Sequence, residues 1–164
     1  MPLYRIDYIR TKISNEESPV IKNPTDACAY ALDKCLDKRQ GWREQVWAIY
    51  VDKKGRVQGQ LLISTGTNNR CLIDTRLTLK GALDTMTSQI ILVHNHPTGD
   101  CRPSVEDIKQ TNELRKACSA LSIQLYDHIV VGEKEFFSFS EEISMKIPAK
   151  CSSTIRHTKT CTVS

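Results

Sequence analysis

Apolar positions in this chain recur with two periods, and each switch of period marks an element. Cys28, Ala31, Leu32 and Cys35 fall at helical spacing up to about Asp37. Asn23-Pro24-Thr25-Asp26 is the start of that helix, with Asn at the cap, Pro in the first turn and Asp near the positive end of the dipole. Gln45 to Asp52 alternates and is rich in Val, Trp, Ile and Tyr, which predicts a strand. Lys53-Lys54-Gly55-Arg56 turns the chain, and Val57 to Ser64 returns as the hairpin partner. Leu79, Leu83 and Met86 share one face of a helix expected over 75–87. Gln89-Ile90-Ile91-Leu92-Val93 is a short apolar run of the kind that forms a buried strand. From Ser104 a second strong helix is expected to turn Val105, Ile108, Leu114, Cys118 and Leu121 inward. Ile123 to Val131, a turn at Gly132, and Glu135 to Phe139 predict another hairpin. Residues 3–13 carry some alternation, Asn15 to Ser18 read as a loop, and so does the stretch containing Thr65-Gly66-Thr67-Asn68-Asn69. Alternating strands and helices with two hairpins predict an α/β fold, a mixed sheet flanked by helices.

At 164 residues and 40% hydrophobic content the chain is expected to form one domain with a real core. Its formal charge of +4 hints at nucleic acid, but the excess is local. Lys146, Lys150, Arg156 and Lys159 follow Ser144 with no acid among them, leaving 19 basic against 19 acidic residues before that point. The division expected is therefore an N-terminal strand and loop over 1–19, a domain over 20–143, and a basic, polar, flexible tail over 144–164. Seven cysteines (28, 35, 71, 101, 118, 151 and 161) are irregularly spaced with no Cys-x-x-Cys pair, unlike a zinc ribbon or a disulfide framework. With no apolar signal core after Met1 and no apolar span, the expectation is a cytoplasmic protein with free thiols and no membrane partner.

The chemistry concentrates in Val93-His94-Asn95-His96-Pro97-Thr98-Gly99-Asp100-Cys101-Arg102-Pro103-Ser104-Val105-Glu106-Asp107. Residues i and i+2 of a strand project from one face, so His94 and His96 are expected to point the same way at a strand end. Asp107 stands one turn into the following helix, where exposed N–H groups and the dipole favour an ionised carboxylate. Two imidazoles and a carboxylate are a three-ligand set that leaves a fourth position for water, as in catalytic zinc sites. Ser104 is by position a candidate oxyanion donor. Ser104-x-x-Asp107 also reads as a capping box, and a two-His, one-carboxylate set also suits non-haem Fe(II).

These residues resemble the JAMM motif of JAB/MPN-domain metalloproteins: His94-x-His96, seven residues, Ser104, two more and Asp107. Within that superfamily the chain is similar to the RadC-like branch through His94-Asn95-His96-Pro97-Thr98-Gly99-Asp100, Pro103-Ser104 with Asp107 and Thr111, Asp127-His128-Ile129-Val130-Val131-Gly132, and Ser138-Phe139. The likeness runs from about Val20 to Glu142. It implies the curved-sheet JAB/MPN, cytidine-deaminase-like architecture and a Zn2+ ion held by His94, His96 and Asp107. It also implies a general base at Glu44, the residue that opens the first long strand, and cleavage of a peptide or isopeptide amide bond in a protein or peptide substrate. Cys101 stands where the branch often has Pro; a thiol there is a ligand, a block, an oxidation sensor or simply an apolar filler. His128, in an apolar strand, reads as a hydrogen-bonded core histidine, and His157 as solvent-exposed.

The RadC resemblance carries a second reading, a DNA-maintenance or mobile-element accessory acting on nucleic acid with or without metal. Larger RadC-like proteins bear a helix-hairpin-helix module, for which the first 40 residues here are too short. A third reading is a metal-holding domain without turnover. Two classes are excluded. Adjacent His-Asn-His letters are not an HNH nuclease, whose residues are spread over a ββα unit. A nucleobase deaminase would need His-x-Glu and a later Pro-Cys-x-x-Cys.

Overall fold

A computed structural model describes residues 18–37, 43–66 and 72–148. Helix α1 (Pro24–Tyr30) starts at the Asn23 cap, whose Oδ1 accepts the Asp26 N–H at 2.9 Å, and runs on into a π-helical turn over Ala31–Cys35. There follow β1 (Gln45–Val51), β2 (Val57–Thr65), α2 (Thr75–Thr85), β3 (Gln89–Asn95), α3 (Val105–Ala120), β4 (Gln124–Val131), β5 (Glu135–Ser138) and β6 (Ile143–Lys146). The strands form one mixed sheet in the order β2-β1-β3-β4-β5-β6. Among the described strands only the β3–β4 pair is parallel, as the crossover through α3 requires.

Strand alternation sorts the core onto two sides. Ile49, Val51, Ile91, Val93, Ile129, Val131 and Phe136 pack under α1 and the π-helical turn. Val46, Ala48, Tyr50, Ile90 and Leu92 face the other way, against Ala82 of α2 and Leu114 and Cys118 of α3. A register shift between Ile90 and Ile91 decides what β4 contributes. Leu125 pairs with Ile90 and Asp127 with Ile91, so Tyr126 is an extra residue that re-phases the strand. Without it His128 would face α1; with it His128 pairs beside Leu92 on the α3 side, the side of His94.

Both long helices depart from the faces expected of them. In α3 the buried residues are Gln110, Thr111, Leu114 and Cys118, while Val105, Ile108 and Leu121 are exposed. Turning Asp107 and Thr111 toward the end of the sheet fixes the phase of that helix and leaves Val105 outside, 85% exposed. In α2 the buried residues are Thr78, Gly81 and Ala82; Leu83 is exposed, and Met86 is a left-handed cap (φ 54°) beyond the helix rather than part of its face. The reason is a close approach of helix to sheet. A Cβ on Gly81 would stand 2.0 Å from the Tyr50 hydroxyl, which donates to the Thr78 carbonyl at 3.1 Å.

β3 extends through His94 to Asn95, and β6 adds a strand where the tail was expected to begin, with Ser144 opposite Phe137 and Lys146 opposite Glu135. The expected strand over 3–13, residues 15–17 and 67–69, Cys71, Cys151, Cys161, His157 and the tail from 149 lie outside the described residues. Among the described residues no helix is long and apolar enough to cross a membrane.

Candidate metal centre

The end of β3 and the start of α3 meet at one point beside the start of β1. β3 delivers His94, fully buried, and the chain leaves the sheet at His96, whose N–H still donates to the Val131 carbonyl at 2.9 Å. The loop then closes on itself at Gly99 (φ +85°), with Gly99 N–H donating to the His96 carbonyl at 2.9 Å. Ser104 caps α3: its Oγ accepts the Asp107 N–H at 3.1 Å. Asp107 Oδ2 in return accepts the Ser104 N–H and the Ser104 hydroxyl, each at 2.7 Å. The capping box is therefore present, and the same box aims the Asp107 carboxylate at the histidines.

Four side chains converge. Donor atoms of Glu44, His94, His96 and Asp107 all lie within 4.8 Å of one another, a group able to hold a metal ion. His94 Nε2 is 3.5 Å from Asp107 Oδ1, His96 Nε2 is 3.4 Å from Asp107 Oδ2, and the two Nε2 atoms are 2.9 Å apart. Donors about 2.0–2.2 Å from a tetrahedral cation stand about 3.3–3.6 Å from each other; both histidine–aspartate spacings match, while the two Nε2 atoms stand closer than that. Proton accounting agrees. His96 Nδ1 lies 2.8 Å from the Asp100 carbonyl, which only accepts, so Nδ1 carries the hydrogen and the Nε2 of neutral His96 is a bare lone pair. Its neighbour across 2.9 Å is another imidazole nitrogen, and a cation reconciles such a pair.

Electrostatics favour the ligand forms of His94 and Asp107 and oppose that of His96. Burial pulls His94 down to about 4, with Asp107 opposing and His96 adding, so it is neutral at pH 7. Burial also depresses His96, but the Asp107 carboxylate, the Asp100 carbonyl and Glu44 together lift it above its ordinary value. Burial would raise Asp107; His96, His94 and Ser104 outweigh that and hold it well below the usual carboxylate range. For Glu44 burial wins and pushes the carboxyl up, with His96 pulling against the rise and Asp107 adding to it.

All five residues singled out from the sequence thus sit at one place, although Ser104 is engaged with Asp107. Cys101 is outside the cluster. Its buried thiol contacts the Ser144 hydroxyl at 3.6 Å, the position of a filler. His128 is the hydrogen-bonded core histidine expected, fully buried with Nε2 2.7 Å from His94 Nδ1 and Nδ1 2.7 Å from the Thr111 hydroxyl. Asn95 is a residue that sequence reasoning missed. Its Oδ1 accepts the Gln45 N–H and its Nδ2 donates to the Arg43 carbonyl, both at 2.9 Å, which clamps the backbone on either side of Glu44. Its place between the two histidines, pointing to the opposite face, was the available signal.

Comparison with known proteins places this geometry. The family described as the RadC-like JAB domain matches residues 21–145. A UPF0758 protein of Shouchella clausii is 38% identical over 123 residues, 75% of this chain and 52% of its own length. One from Coprothermobacter proteolyticus is 35% identical over 77% of this chain and 54% of its own length, and the UPF0758 protein YsxA of Bacillus subtilis is 34% identical over 80% and 55%. The chain thus spans about half the length of the curated relatives it matches. With the mixed sheet, the crossover and the four-residue cluster in place, the chain belongs to the RadC-like JAB domain family.

Proposed function

We propose that this domain is a zinc-dependent amide hydrolase of the JAMM type, acting on a peptide or isopeptide bond. The observation that carries the reading is the convergence of Glu44 with His94, His96 and Asp107. His94 and His96 would hold the ion through Nε2 and Asp107 through its carboxylate. When bound there, zinc lowers the pKa of water to about 7 and polarises a substrate carbonyl. Two imidazoles, one carboxylate and a water position are the donor set of catalytic zinc sites.

The chain's own residues do the remaining work. Glu44, raised by burial, is a carboxyl suited to taking a proton from the attacking water and giving it to the leaving amine. The Asn95 clamp fixes the backbone that carries it. Ser104 holds Asp107 in the ligand direction. Its hydroxyl hydrogen, now donated to Asp107 Oδ2, is the one available for a developing oxyanion when the carboxylate turns to a cation.

The test is metal analysis of the full chain followed by hydrolysis assays on peptide and isopeptide libraries. About one zinc per chain is expected, with turnover abolished by chelator and restored by zinc. Glu44→Gln should keep the metal and lose turnover. A chain that takes up no zinc, or one whose zinc form hydrolyses nothing in either library, overturns the proposal.

A further inference from the structure

Behind the cluster, on the side away from Glu44, lies a run of buried polar contacts joining three elements. His94 Nδ1 on β3 is 2.7 Å from His128 Nε2 on β4. His128 Nδ1 is 2.7 Å from Thr111 Oγ1 on α3, and Thr111 Oγ1 is 2.5 Å from the Asp107 carbonyl oxygen. All of this is sealed: His94, His128 and Thr111 are each 1% exposed or less. The His128 ring is stacked on Phe139, with centroids 4.8 Å apart and planes within 8°.

The protons of this run can be assigned. Two contacts meet at Thr111 Oγ1, and each needs a hydrogen at these distances. A carbonyl oxygen only accepts, so the one hydroxyl proton of Thr111 lies toward Asp107. His128 Nδ1 must then supply the other hydrogen. A neutral imidazole with hydrogen on Nδ1 is an acceptor at Nε2, so the hydrogen between the two rings belongs to His94 Nδ1. That leaves His94 Nε2 as a lone pair, aimed at His96 and Asp107.

We propose that Thr111 and His128 are positioning residues that set the tautomer and ring orientation of His94, so that its Nε2 lone pair faces the cation site. Thr111 also ties this setting to the backbone of Asp107, so one hydrogen-bonded run governs two of the three ligands. The bulge at Tyr126 is what makes the run possible, because it turns His128 to the α3 side. The inference rests on the metal reading above, but its first test does not need metal. Outer partners of this kind change metal affinity about 10–100-fold when removed.

The experiment uses the full chain labelled with 15N-histidine. Long-range 1H–15N spectra of the metal-free protein report which nitrogen of each ring is protonated. Nδ1–H is expected at both His94 and His128; Nε2–H at His94 overturns the proposal. Thr111→Val is isosteric but leaves the His128 Nδ1–H without an acceptor. It should disturb the His94 tautomer and weaken zinc binding, read by competition with a chromophoric chelator, about 10-fold or more, and Thr111→Ser should restore both. A folded Thr111→Val chain with the parent tautomer and the parent zinc affinity also overturns it. Should Thr111→Val fail to fold, His128→Leu decides: it removes the acceptor for His94 Nδ1–H, so zinc affinity should fall about 10-fold or more, and a folded variant with the parent tautomer and affinity overturns the proposal. If the parent chain binds no zinc, the metal reading fails while the tautomers of the metal-free chain still decide this one.

Discussion

Asn95 holds Gln45 across the β1–β3 boundary: the Gln45 N–H donates to Asn95 Oδ1 at 2.9 Å, one residue after Glu44. Because the same side chain also donates to the Arg43 carbonyl, Glu44 is gripped on both flanks by a residue lying between the two histidines of the cluster. Asn95→Ala should therefore separate proton transfer from metal binding. A misplacement of about 1 Å at a reacting group costs up to about 100-fold, so kcat should fall by about that factor while zinc affinity stays within about threefold. Steady-state kinetics beside chelator competition would show this, and equal losses in both would refute it.

The elements through β5 were legible, β3 as a continuous apolar run, the other strands from their β-branched and aromatic residues, and α1 from its cap, whereas β6 lies where a tail was expected. Three members of the cluster were legible for a local reason: His94, His96 and Asp107 lie within one strand-loop-helix crossover, so spacing alone suggests convergence. Glu44 was not visible that way, since nothing within β1 shows which strand it will pair with; it was reached only through family resemblance. In α2 and α3, Leu79, Leu114 and Cys118 pack on the core as expected, while Leu83, Val105, Ile108 and Leu121 do not, because apolar residues were weighed and small or polar ones were not. Gly81 against Tyr50, and Thr111 against His128, decide those phases.

Ser104 has a structural duty that can be measured without activity. Ser104→Ala removes the acceptor for the Asp107 N–H and should cost the metal-free chain about 1 kcal/mol, the usual loss for an N-cap. It also removes a donor to the Asp107 carboxylate, which frees that group to rise from its depressed value. Chemical denaturation in chelator would test the first effect, and an unchanged midpoint would contradict it.

Acid should unfold the metal-free protein through its histidines. His94 titrates at about 4 when folded against 6.5 when unfolded, so its contribution is complete above pH 6.5 and is lost as pH falls through about 4. His128, pushed well below its ordinary value by burial, acts in the same direction. His96 is raised, so its contribution is full below 6.5 and disappears as pH rises past its folded value. Glu44 and Asp127, raised by burial through smaller shifts, likewise favour the acid side. The two large downward shifts prevail, and the melting temperature in chelator should drop from pH 7 to pH 5. A flat or rising profile would contradict the assignment of neutral, buried rings.

Gly81→Ala should destabilise without touching chemistry. The new methyl would collide with the Tyr50 ring, at 2.0 Å from its hydroxyl and 2.3 Å from the carbon bearing it, in a packed layer. Overpacking of this kind costs about 1–3 kcal/mol. Below its lowered melting temperature the variant should bind zinc like the parent, which calorimetry with a zinc titration would establish.

The order in which the four converging groups come together follows from the chain path between them. His94 and Asp107 are joined by a short excursion, so closing it costs little chain entropy and a cation could be caught while the rest of the sheet is still forming. Glu44 arrives only with the β1–β3 pairing, whose partners Val46 and His94 are 48 positions apart. If the hydrolase proposal holds, a carboxylate that reaches the site only through this longer-range pairing keeps a half-folded chain from acting as an indiscriminate hydrolase.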